Sequence, residues 1–220
     1  MRVLINNHIE DSVCMTSRKL QKPYHCGFSL LELLISVAVM GIIISVAVPN
    51  MAEFSVNQRL VGASEQVYGH LQQARSEAIA RNRMIYVNFS ANGTASWIYG
   101  LSSVTSLCNL AVTAPTTAGA CVMPIDDGDG NLDPGNGSVD PGDLVLMRFT
   151  GAEYADVLMN IANFSSGTTQ FVFDPVRGTA TSGQINLQSA NGSLLRVAVS
   201  LLGRVILCSP DASVDNYGTC

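Results

Sequence analysis

Carboxylates at alternating positions in the stretch IDDGDGNLDPGNGSVDPGD form the densest group of chemistry-bearing side chains in the 220-residue chain. Asp127, Asp129, Asn131 and Asp133, with Asp140 and Asp143 further on, offer hard oxygen donors from a glycine-rich loop. Calcium takes about six to eight such oxygens, so the pattern points to a calcium loop. Read as an EF-hand, however, it has Leu132 where glycine belongs and no Glu at the twelfth position. The full motif therefore fails, and an exposed acidic turn or a hairpin loop stands against calcium as the other reading.

Catalytic chemistry finds no such concentration. Beyond residue 27 there is one histidine, His70, expected on the surface of a helix. No glycine-rich phosphate loop, zinc-type Cys/His spacing or nucleophile elbow is present. Paired carboxylates occur only in the acidic loop, where nothing would exclude water or tune them for proton transfer, so the chain does not read as an enzyme.

A different carboxylate carries more weight. Phe28 to Val48 is an apolar run whose only charge is Glu32. An α-helix of about 20 apolar residues crosses a hydrocarbon layer of about 30 Å, and a secretory signal has a shorter apolar region of about 7–15 residues. An ionisable group inside such a span is costly and calls for a partner. The alternative is a carboxylate one turn into a helix, stabilised by the macrodipole and reaching the headgroups.

The positioning elements follow from periodicity. After Pro49, Val56, Leu60, Ala63, Val67, Leu71, Ala74 and Ala78 recur at steps of three and four, one apolar face of a helix. Gln58, Arg59, Glu65, Gln72, Arg75 and Arg81 lie off that stripe. From Met84 the pattern changes to short β-type runs: MIYVNFS, TASWIYG, LVLMRF, QFVFD, QINLQS, LLRVAVS and GRVILC. The fold class expected is α+β, a long N-terminal helix packed on an antiparallel β-sheet head. Gly41 and Pro49 are expected to interrupt the helix.

Arg18, Lys19 and Lys22 precede the span, with Arg2 further out, which places residues 1–27 in the cytoplasm and the bulk of the chain across the membrane. Cysteine use agrees: Cys108, Cys121, Cys208 and Cys220 all follow the span, where an oxidising compartment permits disulfides. Four cysteines allow three pairings. Short loops of similar size favour Cys108 with Cys121 and Cys208 with Cys220, with cross-pairing or free thiols as alternatives.

Gly27-Phe28, Glu32, Gly41 and Pro49 together resemble the class III leader and first helix of a type IV pilin. The segment LQQARSEAIARNR, and the order FDPVRGTA, GQINL, LLRVAVSLLGRV near the C-terminus, are similar to the GspH/FimT group of minor pilins and pseudopilins. The resemblance implies cleavage by a prepilin peptidase between Gly27 and Phe28 and methylation of the Phe28 amine. It also implies that Glu32 pairs with the N-terminal amine of a neighbouring subunit, setting the register of assembly. Met15 is an alternative start. In this reading 1–27 is the leader, 28–49 the transmembrane half of the helix and 50–83 its amphipathic half. Residues 84–220 then form a periplasmic head with an acidic loop over 124–143, and Arg75 and Glu77 hold packing geometry.

The partners implied are the peptidase, other major and minor pilins or pseudopilins, an inner-membrane assembly platform and inner-membrane lipid. The function implied is that of a minor pilin in type IV pilus assembly at the bacterial inner membrane. A type II secretion pseudopilin and a DNA-binding minor pilin are the alternatives. Taking the leader's four cations and two carboxylates from 12 Lys+Arg and 17 Asp+Glu leaves eight and 15, a formal charge of −7 without lysine. Such a chain lacks the cation clusters that nucleic acid binding requires. The DNA-binding alternative comes from the same resemblance, which for some FimT-like minor pilins of competent bacteria implies DNA contacts through basic residues in a C-terminal loop beginning Gly-Arg. Here Gly203-Arg204 is followed by Val205-Ile206-Leu207-Cys208, leaving Arg204 as the one candidate DNA contact in that loop.

Overall fold

The computed structural model describes residues 29–90, 93–130, 140–162, 164 and 169–220. Gly27 and Phe28, and with them the expected cleavage bond, lie outside the described residues, as do Asn131 and Asp133. The chain divides into two compact units, Met1–Ser45 and Val46–Cys220.

One helix, α1 (Leu30–Arg81), enters both units. Its first bond runs from the Leu33 N–H to the Ser29 carbonyl at 3.1 Å, which makes Ser29 the N-cap and puts Glu32 in the first turn. In the single chain the helix runs through both Gly41 and Pro49. A glycine costs a helix about 1 kcal/mol and a proline about 3 relative to alanine, and hydrogen bonds on either side sustain the helix across each position. At the other end, Asn82 takes a left-handed φ of 50°. Arg83 N–H bonds to Ala78 O at 3.2 Å and Asn82 N–H to Ile79 O at 3.3 Å. These are the two bonds of a Schellman stop, here with Asn in the place glycine usually takes.

Among the described residues, the unit Val46–Cys220 has ten strands. They are β1 (Ile85–Ser90), β2 (Ile98–Ser102), β3 (Val122–Pro124), β4 (Leu144–Leu146), β5 (Arg148–Thr150), β6 (Leu158–Ala162), β7 (Gln170–Phe173), β8 (Gly183–Gln188), β9 (Leu194–Val199) and β10 (Val205–Cys208). One antiparallel sheet has the order β5-β2-β1-β7 and a second the order β10-β9-β8-β6, while β3 and β4 form a hairpin. The α+β class is therefore observed.

In β8 and β9 burial alternates, with Ile185, Leu187, Leu195, Val197 and Val199 inside. The helix stripe Leu60, Ala63, Val67, Leu71, Ala74 and Ala78 is buried in the same core as residues from both four-stranded sheets. Small Ala63, Ala74 and Ala78 let the helix backbone approach closely.

β1 and β2 break the alternation because both their faces are covered. On the second face lies the loop closed by the Cys108–Cys121 disulfide, 13 residues apart in sequence. Asn88 Nδ2 reaches Cys108 Sγ at 3.4 Å, and Arg148 Nε donates to Leu110 O at 2.6 Å. Gly100 is required there, since a Cβ on it would lie 2.5 Å from Cys121 Sγ. The second disulfide joins Cys208 of β10 to Cys220.

Candidate functional site

Two features of the Met1–Ser45 unit stand out, and both belong to its helix. Leu30, Leu31, Leu33, Leu34, Ile35, Val37, Val39, Met40, Ile42, Ile43 and Ile44 are all exposed, Leu30 by 77 %. They occupy every side of the helix, so this is an apolar cylinder rather than a stripe. Glu32, also exposed, is its one charge. Ser29 and Glu32 stand at the spacing of a capping box, which suits a carboxylate to the first turn whether or not a neighbour's amine also meets it. Among the described residues, no helix is long and apolar enough to cross a membrane. The span expected over 28–48 extends at both ends beyond residues 29–45, the stretch whose side chains are described.

In the Val46–Cys220 unit, the family-like segments serve packing. Arg81 Nε pairs with Glu77 at 2.5 Å, and Arg81 Nη1 also donates to the Pro124 carbonyl, fastening the end of α1 to β3. Arg75 lies against Gly203, whose φ is +70°. A Cβ on Gly203 would come within 2.8 Å of the Gly178 carbonyl, so only glycine fits.

Arg204 is exposed and lines an open groove of about 490 Å³ with Glu65, Tyr68, Val205, Ile206, Leu207 and Tyr217. Tyr217 donates its hydroxyl to Glu65 Oε1 at 2.7 Å, and burial together with that carboxylate pushes its pKa up to about 12. An acid beside Arg204 opposes the approach of a phosphate.

His70 is not the surface residue expected from its sequence. Its ring stacks on Phe149 with centroids 3.7 Å apart, and Nδ1 meets the Tyr99 hydroxyl at 2.7 Å. Burial holds its pKa below the ordinary histidine value. Tyr99 in turn stacks near Trp97, which donates Nε1–H to the Val157 carbonyl at 3.0 Å. These contacts are structural: the imidazole is spent on a hydroxyl inside an aromatic cluster.

The acidic loop is arranged differently from the alternating set read in the sequence. Of that set, Asp127, Asp129, Asp140 and Asp143 are described. The carboxylates brought together are Asp126, Asp127 and Asp143, one oxygen of each lying within 4.8 Å of the others. Asp126 lies outside the alternating set, and Asp143 stands in it only as a further donor, because alternation along one segment does not show which acids meet. The available signal was the hairpin: two β-type ends that pair must bring the residues just beyond them face to face. Asp126 Oδ1 accepts the N–H groups of Gly128 at 2.8 Å and Gly130 at 3.0 Å, and these bonds lower its pKa.

Comparison with known proteins bears on the family and the fold. A family model described as type II transport protein GspH matches residues 63–203, and one described as a prokaryotic N-terminal methylation motif matches residues 22–48. A crystal structure of the Pseudomonas aeruginosa (strain PAO1) type IV minor pilin FimU is similar at 18 % identity, covering 70 % of this chain and 91 % of that one with a TM-score of 0.42. A second crystal form of FimU gives 17 % identity, 66 % and 90 % coverage, and a TM-score of 0.39. No curated protein sequence matches.

Proposed function

The chain belongs to the family of type II transport protein GspH, and from that premise we propose that it is a minor pilin taking part in type IV pilus assembly at the bacterial inner membrane. As a minor pilin or pseudopilin it is a structural subunit. The observation that carries the reading is the exposed apolar cylinder from Leu30 to Ile44 with Glu32 as its single charge, within a matched methylation motif. A surface apolar on all sides needs apolar surroundings on all sides, and lipid before assembly and neighbouring helices after it both supply them.

In this proposal a prepilin peptidase cuts after Gly27 and methylates the Phe28 amine. The helix then holds the subunit in the inner membrane as a single pass with the head in the periplasm. Glu32 pairs with the terminal amine of a neighbouring subunit, and the backbone near Gly41 and Pro49 is where helicity is given up on packing. Other pilins and an assembly platform are the partners.

The family's printed description favours a second reading, a pseudopilin of a type II secretion system. Deleting the gene separates the two. Loss of surface pili and twitching with secretion intact is the expected result, and lost secretion with normal piliation would reassign the subunit to the secretion machine. Mass spectrometry of the native polypeptide should find an N-methylated Phe28 as its first residue. An internal, unmethylated Phe28 would reject both readings.

A further inference from the structure

The hairpin register builds the acidic cluster. Pairing of Val122 with Leu146 and Pro124 with Leu144 sets the ladder, and the Ile125 N–H to Asp143 carbonyl bond at 2.7 Å carries it one residue further. Segments 125–127 and 141–143 therefore face each other. Asp126 and Asp127 are exposed, whereas Asp143 is 1 % exposed. Asp143 Oδ1 accepts the Asp127 N–H at 2.8 Å, but its buried Oδ2 has no hydrogen-bond partner among the described residues.

A buried carboxylate oxygen without a donor is strongly unfavourable, and native structures leave few such atoms unexplained. Two more carboxylates beside it add repulsion. A cation at their meeting point relieves all three at once.

We propose that Asp126, Asp127 and Asp143 bind calcium, with Asp143 as the buried anchor. The surroundings suit that role. Backbone N–H groups hold one oxygen of each carboxylate: Gly128 and Gly130 on Asp126, Asp129 at 3.2 Å on Asp127, and Asp127 on Asp143. Such bonds orient a ligand in advance of the metal. Gly142 leaves the room needed, since a Cβ there would come 2.9 Å from Asp127 Oδ2. All donors are oxygen, which selects a hard cation. Three carboxylates on an open turn, with water completing the shell, match the loose geometry of calcium rather than the tight octahedron of magnesium.

The test uses the full chain in detergent micelles, stripped with chelator and titrated with calcium by calorimetry and by thermal unfolding. One calcium per chain is expected, with a dissociation constant on the order of 10⁻⁴–10⁻³ M, and a melting temperature raised by several degrees in excess calcium. Asp143→Asn should weaken binding at least tenfold and erase the calcium-induced rise. Without calcium it should melt no earlier than the wild type, because the amide removes the buried charge. Asp126→Asn, at an exposed position, should also weaken binding about tenfold. No heat and no melting shift in the wild type at about 10 mM calcium would overturn the proposal. So would an Asp143→Asn chain that keeps both responses. If that variant does not fold, an unchanged calcium response in Asp126→Asn overturns it equally.

Discussion

Between Leu60 and Ala78 the long helix spaces its apolar residues three and four apart, and the chain's own sheets bury them. Between Leu30 and Ile44 the apolar residues stand on every side and are exposed. The same element thus states two different needs. A stripe asks for one neighbour, which the head provides, while a cylinder asks for neighbours all round, which one subunit does not provide for itself. In the first case apolar surface specifies a fold. In the second it specifies an environment, with Glu32 as the one charge on that surface.

Glu32→Ala breaks the comparison most severely. Incorporation into sheared pili should fall to background while the protein still reaches the membrane fraction, as read by immunoblotting both fractions. Unchanged incorporation would mean that the carboxylate only caps its helix. Paired alanine substitutions sharpen the contrast next. Leu71→Ala, in the buried stripe, should cost the head about 2–5 kcal/mol, measured by unfolding the full chain in micelles with Trp97 fluorescence as the signal. Ile42→Ala should leave that transition within about 0.5 kcal/mol of the wild type.

A third expected effect concerns the head alone. Replacing Cys208 and Cys220 together by serine opens a loop of 12 residues and should destabilise the head by about 3 kcal/mol, again read by unfolding. The smallest effect is a pH dependence. His70 has a folded pKa below its unfolded value, so the unfolded state binds the extra proton in the window between them. Stability from this group is complete above about pH 6.5 and is lost as pH falls through that window toward the folded value. The melting temperature of the wild type should drop on going from about pH 7 to 5 by more than that of His70→Gln, which retains a side-chain acceptor for Tyr99 but does not titrate.

How legible these regions were in the sequence follows from how local their causes are. The stripe from Leu60 to Ala78 needs only helical geometry, and its residues are buried as the spacing implies. β8 and β9 alternate because one face is wet, so they too could be read directly. LVLMRF could not be read as two strands. Met147 leaves the ladder, its N–H going to Cys121 O and its carbonyl to Leu101 N, so β4 and β5 join different sheets. β3 is three residues ending in proline and owes its state to pairing with β4. In β6, LMNIA is apolar at neighbouring as well as alternate positions and has no clear period. His70 and Asp143 share this dependence on distant chain. Phe149 and Tyr99 reach His70 from β5 and β2, and Asp126 and Asp127 reach Asp143 across a hairpin. Composition found the acidic loop, but only register could say which acids meet.

The ring closed by Cys108 and Cys121 shields the outward side of β1 and β2, at a place where Gly100 leaves room for nothing larger. Its closure depends on an oxidant that the cytosol withholds. In a reducing compartment that ring stays open, and in an oxidising one it closes over the sheet face. The staple thereby ties the finished head to a compartment that supplies the oxidant.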